Sequence, residues 1–242
     1  MSRYLICSDI HLNLNRRFDD TVAALNQITK IVEDNNVQNV LILGDVYTSR
    51  RPTSKEREAF QTWVQDLLMM TYLRNQMDEE SIVILRGNHD ESPDGSHSFT
   101  EFTALDFPGV RVLSNPTIWR GYFLGHLLLK GAKLPNGAVI PEGYPDKEMT
   151  AEVLIAKYPN CKAYLLGDIH QYSVLQLNPF MAYCGGVEHE NFGERGIEKG
   201  VILIHDEVPT PVHWKFIPIK TRKMRQYDLY FSKVNSVAGY FQ

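Results

Sequence analysis

The chain has 242 residues, with 25 lysines and arginines against 29 aspartates and glutamates and a formal charge of −4. A chain of that length buries roughly 70–75% of the surface it exposes when unfolded, so folding requires neither a disulfide framework nor a structural metal. The weak charge gives no bulk electrostatic case for nucleic acid, yet leaves it open, because bound divalent cations would make one face far more positive.

The first 90 residues read as β-α-β-α-β. Arg3–Ser8 is a short buried strand, followed at once by Asp9-Ile10-His11. From Asp19 to about Glu33, Val22, Leu25, Ile28 and Val32 recur at helical spacing. Asn39–Leu43 is an apolar β-rich run that stops at Gly44-Asp45. Pro52-Thr53-Ser54 opens a second helix, with Ser54 read as its N-cap and Glu58 in its first turns. Phe60, Trp63, Val64, Leu67 and Leu68 continue its apolar face. Ser81–Leu85 is the third strand and leads to Gly87-Asn88-His89-Asp90.

Beyond it, Ser98–Leu105 reads as a helix, and Val110–Leu113 and Ile118–Leu124 as strands, the last leading to Gly125-His126. Gly131–Tyr144 is a Gly- and Pro-rich loop, Met149–Lys157 a short helix, and Lys162–Leu166 a strand ending in Gly167-Asp168-Ile169-His170. The remainder is β-rich: Ala182–Cys184, Gly200–His205, Val212–Pro218 and Gln226–Phe231. Alternation first and strands later suggest two sheets flanked by helices. No repeat, low-complexity tract or linker divides the chain. Cys7, Cys161 and Cys184 show no CxxC spacing and read as buried thiols of a reducing compartment. No secretion signal is visible, and no apolar run approaches the ~18 residues of a membrane span. The expected location is the cytoplasm.

Each motif alone is a weak signal; Gly44-Asp45, for instance, also describes a simple turn. Together, every motif falls where an apolar run stops, and in open α/β sheets ligand sites form at the carboxyl ends of strands. Alternate residues of an extended segment share a face, so Asp9 with His11, and Asp168 with His170, could each chelate one ion. The donor set mixes oxygen and nitrogen without thiolate, which suits manganese, iron or zinc. Six or seven such donors exceed what one ion takes, and two divalent ions about 3.5–4 Å apart form an arrangement that cleaves phosphate esters. A nearby histidine outside the ligand set could protonate the leaving group.

The ordered set DxH, GD, GNHD, GH and GxH resembles the calcineurin-like metallophosphoesterase superfamily. Two further segments are similar to SbcD-type nucleases of DNA repair: Gly44-Asp45-Val46-Tyr47 through Arg51-Pro52-Thr53-Ser54, and Tyr183-Cys184-Gly185-Gly186 through Asn191-Phe192-Gly193-Glu194 and Glu198–Leu203. The resemblance implies an α/β fold, a four-layer α-β-β-α sandwich of two mixed sheets, and cleavage of DNA phosphodiesters with two divalent ions. Manganese is the ion expected, with magnesium, iron and zinc as alternatives. By position, it places Asp9, His11 and His170 on the first ion, Asp45 bridging both, and Asn88, His126 and Asp168 on the second. His89 becomes the catalytic imidazole, with Asp90 orienting it. Arg50 and Arg51, close in sequence to Asp45, become the candidates for DNA contact; the basic cluster between Lys215 and Arg225 reads as a solvated edge.

Two positions depart from the family pattern. Asp168 stands where the last motif usually has a histidine, which makes the second site harder. Thr48 stands where a His or Asp is frequent, three residues after the bridging Asp, and that bears on exonuclease action. The expected nuclease domain spans residues 1–220, and 221–242 form a C-terminal strand and tail, with Thr221–Phe231 starting a cap domain. The implied partners are DNA and an SbcC-type ATPase subunit, with no membrane and with a homodimer as a further option. Two competing readings are a phosphoesterase acting on a small phosphodiester or nucleotide, and a scaffold that keeps the fold without the chemistry. Ligand-capable residues at every motif argue against the scaffold.

Overall fold

In the computed structural model, which describes residues 2–74, 80–92, 94–104, 107–131, 149–206, 212–225 and 227, the alternating start expected from the sequence is present. Strand β1 (Ser2–Cys7), helix α1 (Phe18–Asp34), strand β2 (Asn39–Leu43), helix α2 (Ser54–Arg74) and strand β3 (Ile82–Leu85) follow in order. Helix α1 buries Leu25, Ile28 and Val32 of the stripe its periodicity announced, together with Ala24, while Val22 of that stripe is only partly buried. The start of α2 corrects the N-cap assignment. Thr53 Oγ1 accepts a hydrogen bond from the Glu56 backbone N–H at 3.3 Å, while Glu56 Oε2 accepts one from the Thr53 N–H at 2.6 Å. This reciprocal capping box places the cap on Thr53, one residue before Ser54, and makes Glu56 its partner.

Helix α3 (Thr100–Ala104) lies within the expected helix, and β4 (Val110–Leu113) follows it. The expected strand over 118–124 is instead a hairpin of β5 (Thr117–Trp119) and β6 (Tyr122–His126). Arg120 and Gly121 turn it at φ 47° and 83°, a pair of left-handed residues that suits a tight hairpin between twisted strands. Helix α4 (Ala151–Lys157) starts after Thr150, whose side chain accepts a hydrogen bond from the Val153 N–H. Strands β7 (Ala163–Gly167), β8 (Ser173–Leu177), β9 (Phe180–Tyr183), β10 (Lys199–Asp206) and β11 (His213–Ile219) complete the set. Strand β8 was not expected: it is a largely exposed edge strand with little apolar alternation, held by its antiparallel pairing with β9.

One sheet runs β11-β10-β1-β2-β3-β4 and the other β5-β6-β7-β9-β8. Strands β1 to β4 are mutually parallel, as are β6, β7 and β9. Alternation along the strands assigns the layers. Tyr4, Ile6, Leu41, Leu43, Val83 and Leu85 face the second sheet and meet Trp119, Tyr122, Leu124, Leu165 and Ala182. Their neighbours Leu5, Cys7, Val40, Ile42 and Ile84 face the other way, onto Leu25, Ile28, Phe60, Trp63 and Leu67 of α1 and α2. On the far side of the second sheet, Phe123, Tyr164, Leu166 and Met181 pack with Leu154 of α4. The result is the four-layer α-β-β-α sandwich of two mixed sheets. Most of the expected Gly131–Tyr144 loop, and all but Tyr227 of the expected Gln226–Phe231 strand, lie outside the described residues, as do residues 228–242 of the expected tail.

Candidate metal centre

The parallel strands β1, β2 and β3 of one sheet and β6 and β7 of the other end at a common edge, and each delivers one motif there. The loops are tied to one another by backbone bonds: Asp9 N–H to the Gly44 carbonyl at 3.1 Å, and His11 N–H to the Asp45 carbonyl at 3.0 Å. Asp9, His11, Asp45 and Asp168 sit at φ 49°, 51°, 51° and 89°. A left-handed backbone at a non-glycine residue costs on the order of 1–3 kcal/mol and persists where surrounding structure imposes it, commonly at functional sites. Gly87 is needed for a different reason: a Cβ there would overlap the Asp45 carboxylate.

The side chains converge. His11 Nε2 and His170 Nε2 are 3.1 Å apart, and His170 Nε2 is 3.7 Å from Asp9 Oδ1. Asp45 Oδ2 lies 3.3 Å from His126 Nε2 and 3.8 Å from His11 Nε2. His126 Nε2 also faces Asn88 Oδ1 at 3.0 Å and Asp168 Oδ1 at 3.8 Å. Asp9, His11 and His170 form one group with ligand atoms close enough to hold an ion, and Asp9, Asp45 and His126 form another. Asp9 is therefore shared by these two groups, while the Asp45 carboxylate faces an imidazole of each; a third group, His170, Glu190 and Glu194, lies behind His170.

The ring of His126 is held from two sides. Its Nδ1 lies 2.7 Å from the Leu43 carbonyl, an acceptor only, so Nδ1 carries the proton and Nε2 is turned to the site. Asn115 grips the His126 backbone, donating to its carbonyl at 2.7 Å and accepting from its N–H at 2.8 Å.

Asp9 and Asp45 are each 2% exposed. Among the described residues their ion-pair partners are imidazoles, with no lysine or arginine. Burial opposes charge on His126, but hydrogen bonding to Asp45 and the nearby Asp9 and Asp168 carboxylates outweigh it and push its pKa to about 10. Burial would raise the Asp45 pKa; the His126 and His11 imidazoles draw it down to about 2. Buried carboxylates without a fixed cation are costly. The cluster thus calls for positive charge at its centre, and its donors are those that hold hard and borderline divalent ions. The residues fit such ions.

His89 and Asp90 part company. His89 Nδ1 lies 2.7 Å from the Thr48 carbonyl, and that contact orients the ring. Asp90 was expected to do so, but it is fully buried and accepts hydrogen bonds from the backbone N–H of Gly87 at 2.9 Å and Val46 at 3.1 Å. It clamps the β2 and β3 loops together, and burial raises its pKa to about 7. Arg50 and Arg51 are exposed on the loop after β2, and Arg50 Nε donates to the Asn88 carbonyl at 3.2 Å.

Residue reading alone did not single out the support behind His170. Glu194 Oε1 accepts from His170 Nδ1 at 2.9 Å, and Glu194 Oε2 pairs with Lys199 Nζ at 2.6 Å. Lys199 is 1% exposed and also donates to the His170 carbonyl at 2.9 Å. The sequence signal was present in Asn191-Phe192-Gly193-Glu194 and Glu198-Lys199, but only the fold shows what those residues touch. Such an outer carboxylate fixes ring orientation and raises ligand basicity. Lys199→Met should leave the buried Glu194 with the His170 imidazole as its remaining partner and destabilise the metal-free protein by up to about 3 kcal/mol in urea unfolding. Combining it with Glu194→Leu should recover much of that loss; a single substitution without effect would show that His170 alone compensates the Glu194 charge.

Among the described residues no helix is long and apolar enough to cross a membrane. The family model for calcineurin-like phosphoesterases matches residues 2–172. Among solved structures, the Pseudomonas putida nuclease MPE is 16% identical, with 83% of each chain covered and a TM-score of 0.43. Yfce, a phosphoesterase from E. coli, is 16% identical with a TM-score of 0.46, covering 84% of this chain and 88% of its own.

Proposed function

We propose that this chain, which belongs to the calcineurin-like phosphoesterase family, is a phosphodiesterase that cleaves DNA with two divalent ions, manganese foremost. The observation that carries the hydrolytic reading is the convergence of carboxylates and imidazoles at one edge of two sheets, where among the described residues the buried Asp9 and Asp45 pair with imidazoles and with no lysine or arginine. Asp9, His11 and His170 would hold one ion, His126, Asn88 and Asp168 the other, with Asp45 between them. Bound there, divalent ions supply Lewis-acid stabilisation of phosphoryl charge and acidify water at neutral pH.

The remaining steps belong to the chain's own groups. His89 donates its Nδ1–H to the Thr48 carbonyl, so Nε2 is the atom that takes or gives a proton. As an imidazolium, it can protonate the departing oxygen. His126 and His170 are each oriented through Nδ1, by the Leu43 carbonyl and by Glu194, which presents both Nε2 atoms to the same space.

DNA as substrate is supported by the segments similar to SbcD-type nucleases, whose Glu194 and Lys199 stand behind His170. On this reading the chain acts in DNA repair, in the cytoplasm, alone or as a homodimer, and its protein partner is an SbcC-type ATPase. The test is a manganese-supplemented assay comparing plasmid, single-stranded and linear duplex DNA with bis-p-nitrophenyl phosphate. DNA cleavage that stops in EDTA and returns with manganese is expected. Hydrolysis of the small diester with all DNA left intact would replace this reading with the small-substrate one.

A further inference from the structure

A cleft of about 930 Å³ opens beside His89. One wall is the loop after β2, with Arg50 and Arg51; the other is the loop after β3, with Ser92, Ser96 and His97. Every described residue that lines it is polar or charged. That composition suits a ligand rich in anionic oxygen. Among the described residues it offers no phenylalanine, tyrosine or tryptophan face for a base to stack on, so phosphate oxygen is the better match.

The donors are free to act. Arg50 uses Nε on the Asn88 carbonyl, which leaves the rest of its guanidinium fork. The Arg51 side chain makes no hydrogen bond among the described residues, although Asp94 lies near enough to interact with it electrostatically. His97 Nδ1 accepts from the Phe99 N–H at 3.1 Å, so in the neutral ring Nε2 carries the proton and is a donor. Asp94, the acid of the lining, turns Oδ1 to the Ser96 N–H and hydroxyl at 3.0 and 2.6 Å. Arg57 is already engaged by the Ser98 carbonyl and Glu101.

We infer that this cleft is a second phosphate subsite: it holds the phosphodiester next to the scissile one through Arg50, Arg51 and His97, and takes the backbone without reading the bases. The inference rests on the reading of the chain as a nuclease and specifies its substrate as a chain of at least two phosphodiesters. Guanidinium–phosphate bonds are charge-assisted and geometrically specific, which makes a neighbouring phosphate the natural ligand.

The experiment compares kcat/KM in manganese on TpT, which has one phosphodiester, and TpTpTpT, which has flanking ones. The parent should prefer the longer substrate by on the order of tenfold or more. Arg51→Ala and His97→Ala should each reduce that ratio severalfold. With metal-free protein in EDTA, the slope of log affinity for labelled dT12 against log salt should fall by about 0.7 in Arg51→Ala and stay unchanged in His97→Ala, which removes a neutral donor. A parent that cleaves both substrates equally, or variants that keep both ratio and salt slope, would place the neighbouring phosphate elsewhere while leaving the nuclease reading intact. A parent that hydrolyses bis-p-nitrophenyl phosphate but neither oligonucleotide would defeat the nuclease reading and this inference with it.

Discussion

Asp45→Asn is expected to abolish manganese-dependent turnover. The Asp45 carboxylate faces both His11 and His126, is 2% exposed, and accepts the His89 backbone N–H on Oδ1 at 2.9 Å. Asparagine keeps the shape and that acceptor but removes the charge between the two imidazoles. The fold should therefore survive while the affinity for divalent ions falls. Titration calorimetry with manganese reads the affinity directly. Thermal unfolding provides a second measure, since an ion at a hundred times its Kd stabilises a protein by about 2.7 kcal/mol, an increment the variant should lose. A variant that binds two ions tightly and turns over near the parent rate would remove Asp45 from the site.

His89→Ala should keep its metal and lose on the order of 10²–10⁴ in rate, the usual contribution of a positioned general acid. The reason is geometric. His89 Nδ1 is committed to the Thr48 carbonyl, and its ring packs edge-on to that of His11, with centroids 5.4 Å apart. It is thus placed at the border of the ligand cluster and is absent from each of the three compact groups of candidate ligands among the described residues. Metal content by elemental analysis and rate at saturating manganese separate the two roles. If the variant instead loses metal and excess manganese restores its rate, His89 is a ligand.

The contact between His89 and Thr48 also gives the departure from the family pattern a structural setting. The Thr48 main chain holds the imidazole, and its hydroxyl donates to the His11 carbonyl at 3.2 Å. Any residue at this position could supply the main-chain carbonyl. Threonine adds a tie to the neighbouring loop.

What the sequence determined by itself was local. Short apolar runs closed by polar motifs announced β1, β2, β3 and β7 and put Asp9, Asp45, Asn88 and Asp168 at or just past their ends, because a residue's place at a strand terminus depends on neighbours along the chain. The helical stripe of α1 was legible for the same reason. Features that depend on partners far along the chain were not. The segment 118–124 reads as one apolar strand until β7 pairs with β6 and the turn at Arg120-Gly121 divides it. Strand β8 has no apolar alternation to reveal it, since β9 alone holds it at the sheet edge. Thr53 and Ser54 are equally good caps by composition, and the reach of Glu56 decides between them. Only the stacking of two sheets brings His126 against Asp45, 81 positions apart, and sets Glu194 and Lys199 behind His170. Coulomb forces and hydrogen bonds act through space at a few ångströms, so the composition of the site could be read along the chain, whereas its pairing, its protonation and the support of its ligands were settled by the tertiary fold.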